Sequence, residues 1–481
     1  MATEGIILEQ SYVQPYCSPT RSALLSGTYP FAIGRQHGAI WPASPTGLTL
    51  NVTVIPQLLK PLGYATHAVG KWHLGFCNQK YTPTERGFDS FMGYYTGTEH
   101  YFTHINDFKM DEWEISCNQN NASEQYDEQN IPNGYDFYKN KEPYFDVYGN
   151  YSTLLFASEV EKILHYSDSS VPKFIYMAFQ SVHSPLEVPK NYIKPYAHIK
   201  NKPRRIYLGM VTAMDDAIGR IITALKETNH YNNSVIVFTT DNGGSTPIGG
   251  NNWPLRGNKS TLWEGGTRGA AFIHSPLLSN SGRTSNNLIH VTDWMATIVS
   301  LAGGILPPGT DSIDQWEAIA RNKTSPRREM IYNIDEKKSG IQAGIRVGNY
   351  KLLVGDPGPG DWTFPPEIRN VHTNDPFPPK IYQKEDNNET YEGDCGFSNL
   401  MLGGFETAEE LMKSPFRFQL FNVKVDPQER VNLAESKPDI LMTLVRRLQT
   451  YRDRWVNPHN PPSDSKANPK LWGGVWSPGW C

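Results

Sequence analysis

Cys17 opens the stretch Cys17-Ser18-Pro19-Thr20-Arg21-Ser22-Ala23-Leu24-Leu25-Ser26-Gly27. Pro19 suits a first helical turn, where its missing N–H costs nothing and its φ is preset. Ser22 to Ser26 continue as a short helix that Gly27 can end. Cys17 therefore falls at a helix N-terminus, where free N–H groups and the macrodipole favour an anion. Arg21, one turn on, faces back toward the same spot. A reactive side chain, a helix start and a fixed positive charge suit a sulfate or phosphate group. The same residues also fit a small buried cysteine opening a core helix.

Other groups of this kind follow apolar strands. Asp241 and Asn242 come directly after Val235-Ile236-Val237-Phe238-Thr239-Thr240. A carboxylate and an amide oxygen are hard ligands suited to Ca²⁺ or Mg²⁺, and an Asn-Gly turn with a capping Asp reads equally from these residues alone. Lys71 and His73 lie past the strand Tyr64 to Val69, two residues apart, and would point the same way if the chain stayed extended. His183 follows the run Phe174 to Phe179, and Lys259 lies in a Gly- and Pro-marked loop. Surface charge and a satisfied core histidine are the plain alternatives.

The elements that must hold these groups alternate. A helical pattern runs over Val54 to Leu62, another over Thr153 to Tyr166, and a long amphipathic one over Tyr207 to Thr228. Apolar strands between them predict an α/β domain with a large, mostly parallel sheet, both of its faces covered by helices. Reactive groups beyond strand ends fit the rule for ligand sites in such sheets. Residues 100–150 are polar, aromatic and aperiodic, and read as a surface excursion at the rim of the pocket. From about residue 336 the texture changes. A hairpin over 341–354, a Pro/Gly/Asp-rich stretch over 355–398, a strand at 418–423 and a helix at 438–455 predict a smaller α+β domain. The chain thus divides into 1–335 and 336–481, with a Pro-rich tail packing back through Trp472, Trp476 and Trp480.

With 481 residues, 20% of them charged, and a net charge of −4, the chain is globular and gives no support for a nucleic-acid or membrane-surface binder. No run approaches the roughly 20 apolar residues needed to span a bilayer. N-glycosylation tripeptides begin at Asn51, Asn121, Asn150, Asn232, Asn258, Asn322 and Asn388. A glycan on Asn258 would obstruct the neighbouring Lys259. Cys77, Cys117, Cys395 and Cys481 allow three full pairings.

Taken together, Cys17 to Arg21, Gly70-Lys71-Trp72-His73, Gln180-Ser181-Val182-His183, Thr240-Asp241-Asn242-Gly243-Gly244 and the Lys259 loop resemble the sulfatase family block for block. The spacing is most similar to the arylsulfatase B group, which includes N-acetylgalactosamine-4-sulfatase. The resemblance implies an alkaline-phosphatase-like fold and hydrolysis of a sulfated saccharide, aryl sulfate or other organic sulfate. It implies that Cys17 is converted to formylglycine by the formylglycine-generating enzyme and hydrated to a diol. One hydroxyl would attack sulfur, its anionic form stabilised by the metal and Arg21. The other would expel sulfate, with His73 as base. Lys71, His183 and Lys259 would bind sulfate oxygens, and His183 or Lys259 would protonate the leaving alcohol. One Ca²⁺ would be held by Asp241, Asn242 and the modified Cys17. The full-length protein would be lysosomal or secreted.

The family also carries a strand ending in paired aspartates ahead of the nucleophile, and a secretory signal. Neither is present here, and the sequence is expected to be N-terminally incomplete. Asp215-Asp216, the one Asp-Asp pair in the chain, falls inside the long helix, where neighbours point about 100° apart, and does not substitute. Two alternatives stand beside the enzyme: a non-catalytic relative that binds sulfated ligands, and a phosphoesterase. The second would use Ser or Thr and more His/Asp metal ligands than this sequence offers.

Overall fold

A computed structural model of the chain describes residues 1–107, 133–337, 340–367, 407–414 and 416–481. Two sheets carry the first part of the chain. In one, strand Ala65–Lys71 lies between Ser90–Tyr94 and Lys173–Ala178, parallel to both, and short antiparallel strands at 138–139 and 142–143 extend its edge. In the other the order is Ile236–Thr239, Ala271–His274, Ile6–Leu8 and Arg283–Ser285. Its first two contacts are antiparallel and its last is parallel.

The alkaline-phosphatase-like α/β class holds, but the expected large sheet falls into two parts among the described residues. Strands 173–178 and 236–239 each lie at a sheet edge. Their residues are mostly half-buried rather than covered on both faces. An apolar run reports affinity for a core, not the number of neighbours a strand obtains.

Helices Ser152–Tyr166 and Lys202–Glu227 pack together. The longer one starts at Asn201, whose side chain accepts from the Arg204 N–H, with Pro203 in its first turn. The main core gathers Trp72, Phe88, Phe91, Tyr95, Phe137 and Phe156. Trp476 and Trp480 of the tail join this core, and a disulfide from Cys77 to the final Cys481 secures them there. Cys117 and Cys395 lie outside the described residues.

A second core belongs to four antiparallel strands in chain order: Glu329–Lys337, Gly340–Val347, Tyr350–Gly355 and Phe418–Asn422. Helix Pro438–Gln449 covers it through Leu441, Leu444, Val445 and Leu448. The expected hairpin, strand and helix are all present, although the helix ends at 449 rather than 455. Of the 100–150 excursion, residues 108–132 lie outside the described residues. Within 97–104, Glu99, Tyr101 and His104 are buried and the other residues are half-buried.

Asn51, Asn150, Asn232 and Asn322 are exposed, whereas Asn258 is buried. Burial excludes a glycan at Asn258. Asn121 and Asn388 lie outside the described residues.

Candidate active site

Helix Cys17–Ser26 supplies the first two groups. It ends at Gly27, whose φ of 62° turns its N–H onto the Ala23 carbonyl at 2.9 Å. A Cβ there would meet Met295 Sδ at 2.6 Å, so the position requires glycine. Cys17 and Arg21 are both buried. Arg21 donates from Nε and Nη2 to Asp241 Oδ2 at 3.1 and 2.9 Å, and from Nη1 to the Lys71 carbonyl at 2.7 Å and the Tyr176 hydroxyl at 3.3 Å. One guanidinium thus ties the helix to the ends of strands 65–71 and 236–239 and to the interior of strand 173–178. Thr20 adds a hydroxyl bond to the Asp241 carbonyl at 2.5 Å.

Lys71 is the last residue of strand 65–71, and His73 follows in the left-handed region at φ 56°. The extended alternation expected for this pair therefore breaks. The turn brings the imidazole onto Cys17, with Nδ1 3.2 Å from Sγ. Nε2 lies 2.9 Å from the Ile40 carbonyl, which can only accept, so Nε2 carries the proton and Nδ1 presents a lone pair to Cys17. Gly97 packs flat on the ring, and a Cβ there would sit 2.7 Å from Cε1. Burial, reinforced by Lys71 and Arg21, pushes His73 well below the usual imidazole range and keeps it neutral.

Burial also lowers Lys71, which interacts with Cys17, Arg21, Asp241 and Lys259. Burial opposes charge on Asp241, but Arg21 and Lys71 outweigh it and hold the carboxyl well below its ordinary range. His183 donates from Nδ1 to the Ser184 carbonyl at 2.8 Å and accepts the Lys259 ammonium at Nε2, 3.2 Å away. The Lys259 ammonium interacts with Lys71, which joins this second pair to the first group. Arg21, Lys71, His73, Asp241, His183 and Lys259 thus gather around Cys17, whereas the Asn242 side-chain amide donates to the Gly243 carbonyl at 2.9 Å.

The Lys259 loop is positioned by backbone. The Lys259 N–H bonds the Gly244 carbonyl at 3.2 Å, and the Gly243 N–H bonds that of Gly266 at 2.9 Å. A Cβ on Gly243 would strike the Gly265 carbonyl at 1.8 Å. The turn after strand 236–239 thus lies directly on Gly265-Gly266.

These positions coincide with the matched part of a family model described as Sulfatase, which covers residues 1–305. The chain belongs to the sulfatase family. It is a sulfuric-ester hydrolase. Arylsulfatase J of Mus musculus is 39% identical over 99% of this chain and 75% of that protein. N-acetylgalactosamine-6-sulfatase of Canis lupus familiaris is 28% identical over 93% of this chain and 78% of its own length. Among solved structures, Ps i-CgsB in complex with a k-i-k-neocarrahexaose superposes with a TM-score of 0.72 at 25% identity, covering 98% of this chain and 90% of that one.

A Ca²⁺ site needs about six to eight oxygens. Asp241 and Asn242 offer hard oxygens, but Asp241 Oδ2 already takes two N–H bonds from Arg21. Among the described residues no group of three or more His, Cys, Asp or Glu is arranged to hold a metal ion. The described residues of this sulfatase do not by themselves make a calcium shell.

Sequence reasoning missed Tyr176, Thr20 and the Ile40 carbonyl. Tyr176 reads as one more apolar member of its strand. A backbone carbonyl has no side-chain signal at all. For Thr20 the available hint was its place between Pro19 and Arg21.

Proposed function

We propose that this sulfatase removes sulfate from a sulfated saccharide, with formylglycine formed from Cys17 as nucleophile. The reading rests above all on the His73 Nδ1 lone pair, 3.2 Å from Cys17 Sγ, with the buried cations Arg21, Lys71 and Lys259 in the same group. The saccharide class is supported by the relative named N-acetylgalactosamine-6-sulfatase and by the neighbour bound to a neocarrahexaose.

The cations fix the sulfate oxygens and meet charge as it develops in transfer. The formylglycine-generating enzyme oxidises Cys17, and hydration gives a geminal diol. One hydroxyl, having released its proton to solvent and held as its anion by Arg21, attacks sulfur while the bond from sulfur to the sugar oxygen breaks. That oxygen takes a proton from the His183–Lys259 pair, in which the lysine ammonium holds one 3.2 Å from Nε2. The second hydroxyl then loses its proton to His73, and the aldehyde re-forms as sulfate leaves. A cysteinyl sulfate would lack that second hydroxyl. Passage through the oxidising lumen of the secretory route, on the way to the lysosome or to secretion, fits the Cys77–Cys481 disulfide and the four exposed glycosylation sites.

The test is turnover of an aryl sulfate by the parent and by Cys17→Ala, with the mass of the Cys17 peptide measured in parallel. The enzyme reading expects formylglycine in the parent and background rates in the variant; equal rates would sink it. The incomplete calcium shell among the described residues favours one other reading, a binder of sulfated ligands. It would show no turnover in either protein, while a Lys71→Ala variant still loses sulfate affinity.

A further inference from the structure

One short segment touches the supports of both site histidines. Gly97 packs on the His73 ring, where a Cβ would sit 2.7 Å from Cε1. One residue on, the Thr98 hydroxyl donates to the Ser184 carbonyl at 2.5 Å. The Tyr101 hydroxyl donates to the His183 carbonyl at 2.9 Å, and Gln180 Nε2 donates to the Glu99 carbonyl. Segment 97–101 thus pins two consecutive carbonyls, those of His183 and Ser184.

The segment is itself anchored. Buried Asp136 accepts from the Tyr95 and Thr96 N–H groups at 3.0 and 2.9 Å. The Thr96 hydroxyl donates to the Thr98 carbonyl at 3.0 Å, and the Tyr101 N–H donates to Glu187 at 2.8 Å.

The Ser184 carbonyl decides the state of His183. It lies 2.8 Å from Nδ1 and can only accept, so Nδ1 carries the proton and Nε2 offers its lone pair to the Lys259 ammonium. Ser184 Oγ lies 3.4 Å from the same Nδ1. A hydroxyl can donate, and one donating to Nδ1 would shift the proton to Nε2 and turn an N–H against the ammonium. Which of the two Ser184 oxygens faces the ring therefore sets the tautomer, and Thr98 holds the carbonyl in that place.

We propose that Thr98 is a positioning residue for His183: its hydroxyl fixes the Ser184 carbonyl, and through it the proton on Nδ1 and the contact of Nε2 with Lys259. This rests on the reading above, in which that pair protonates the departing oxygen. A bond that only secured a loop would affect every substrate alike. A bond that orients the proton donor matters where the departing oxygen needs the proton.

The test is steady-state turnover of two esters by the full chain carrying formylglycine. The leaving oxygen of 4-nitrophenyl sulfate departs as a stable anion, whereas the more basic oxygen of phenyl sulfate gains from protonation. In Thr98→Val, kcat/KM is expected to fall about tenfold on phenyl sulfate and less than about twofold on the nitrophenyl ester. Thr98→Ser keeps the hydroxyl and should match the parent on both. Thermal midpoints check that each variant folds. Should Thr98→Val fail to fold, Thr98→Ala removes the same hydroxyl with less bulk and is read the same way. Equal loss on the two esters overturns the proposal, as does no loss on either, or a loss in Thr98→Ser as large as in Thr98→Val. If the parent turns over neither ester although its Cys17 is formylglycine, the formylglycine reading itself fails and the proposal falls with it.

Discussion

Two buried ionic clusters lie on either side of Gly265-Gly266, and their charges differ. On one side, among the described residues, Arg21 and Lys71 share one carboxylate, Asp241, and Lys259 brings a third cation. On the other, Lys351 lies 3.0 Å from Glu264 and 2.8 Å from Glu429. Tyr12 and Tyr332 donate to Glu264 at 2.7 and 3.1 Å, and Arg346 donates to the Tyr12 hydroxyl. The Glu264 N–H, at the start of helix Glu264–Thr267, donates to Glu429 at 2.7 Å. This second cluster compensates its own charge. The first has an excess of cations, which an anion must balance. Burial of charge alone did not mark the functional site; the surplus did.

The balanced cluster should be the more fragile to loss of one member. Lys351→Met leaves Glu264 and Glu429 buried without their common cation. It is expected to cost about 3–5 kcal/mol of stability in urea unfolding. Adding Glu264→Gln and Glu429→Gln should restore much of that. No change on Lys351→Met would refute the view of a self-compensated cluster.

The same cluster predicts a pH dependence. Burial, together with repulsion from Glu264, raises Glu429 to about 7 despite Lys351. The folded protein then holds a proton between pH 4.5 and 7 that the unfolded chain has released. The group's stabilising contribution is complete below 4.5 and is lost as pH rises to 7, on the order of 3 kcal/mol. Glu264 is shifted the other way, below its ordinary value. Its contribution is present above 4.5 and falls only in more acid solution. Asp136, which burial raises to about 6, and Glu99, raised by burial, act in the same direction over this window, so Glu429 is read from the difference between two proteins. The parent should lose more stability between pH 5 and 7 than Glu429→Gln does.

How far these clusters could be read in advance follows from what a residue type declares. Cys17, Arg21, Lys71, His73, His183, Asp241 and Lys259 each read alone as a core residue, a turn or surface charge, and it was the resemblance of their blocks to sulfatases that grouped them. The fold class was legible in apolar runs punctuated by Gly and Pro. Lys351, Glu264 and Glu429 were not, because charged residues in a strand, a turn and a loop read as surface until the fold packs them together. Nor was the route of the tail. Trp476 and Trp480 announced burial, but the Cys77–Cys481 link to the first core spans 404 positions, beyond the reach of any local pattern. The left-handed His73 escaped too, since only the close approach to Cys17 selects that conformation.

The cation-rich site should respond with the opposite sign to the balanced one. Burial lowers Lys71 from its ordinary range, so the charged amine costs stability throughout the pH range in which it stays protonated in the fold. Lys71→Met should raise stability by about 1 kcal/mol and weaken inorganic sulfate binding about tenfold. A loss of stability would mean that its attraction to Asp241 outweighs burial. The baseline for both clusters is an exposed pair such as Lys141 and Glu85, 2.5 Å apart with side chains 50% and 40% exposed. Water screens that contact and two long side chains lose freedom to form it. Lys141→Ala is therefore expected to move stability by less than about 0.5 kcal/mol. A larger effect there would show that proximity, rather than burial and charge balance, governs the two clusters, and the contrast between them would lose its cause.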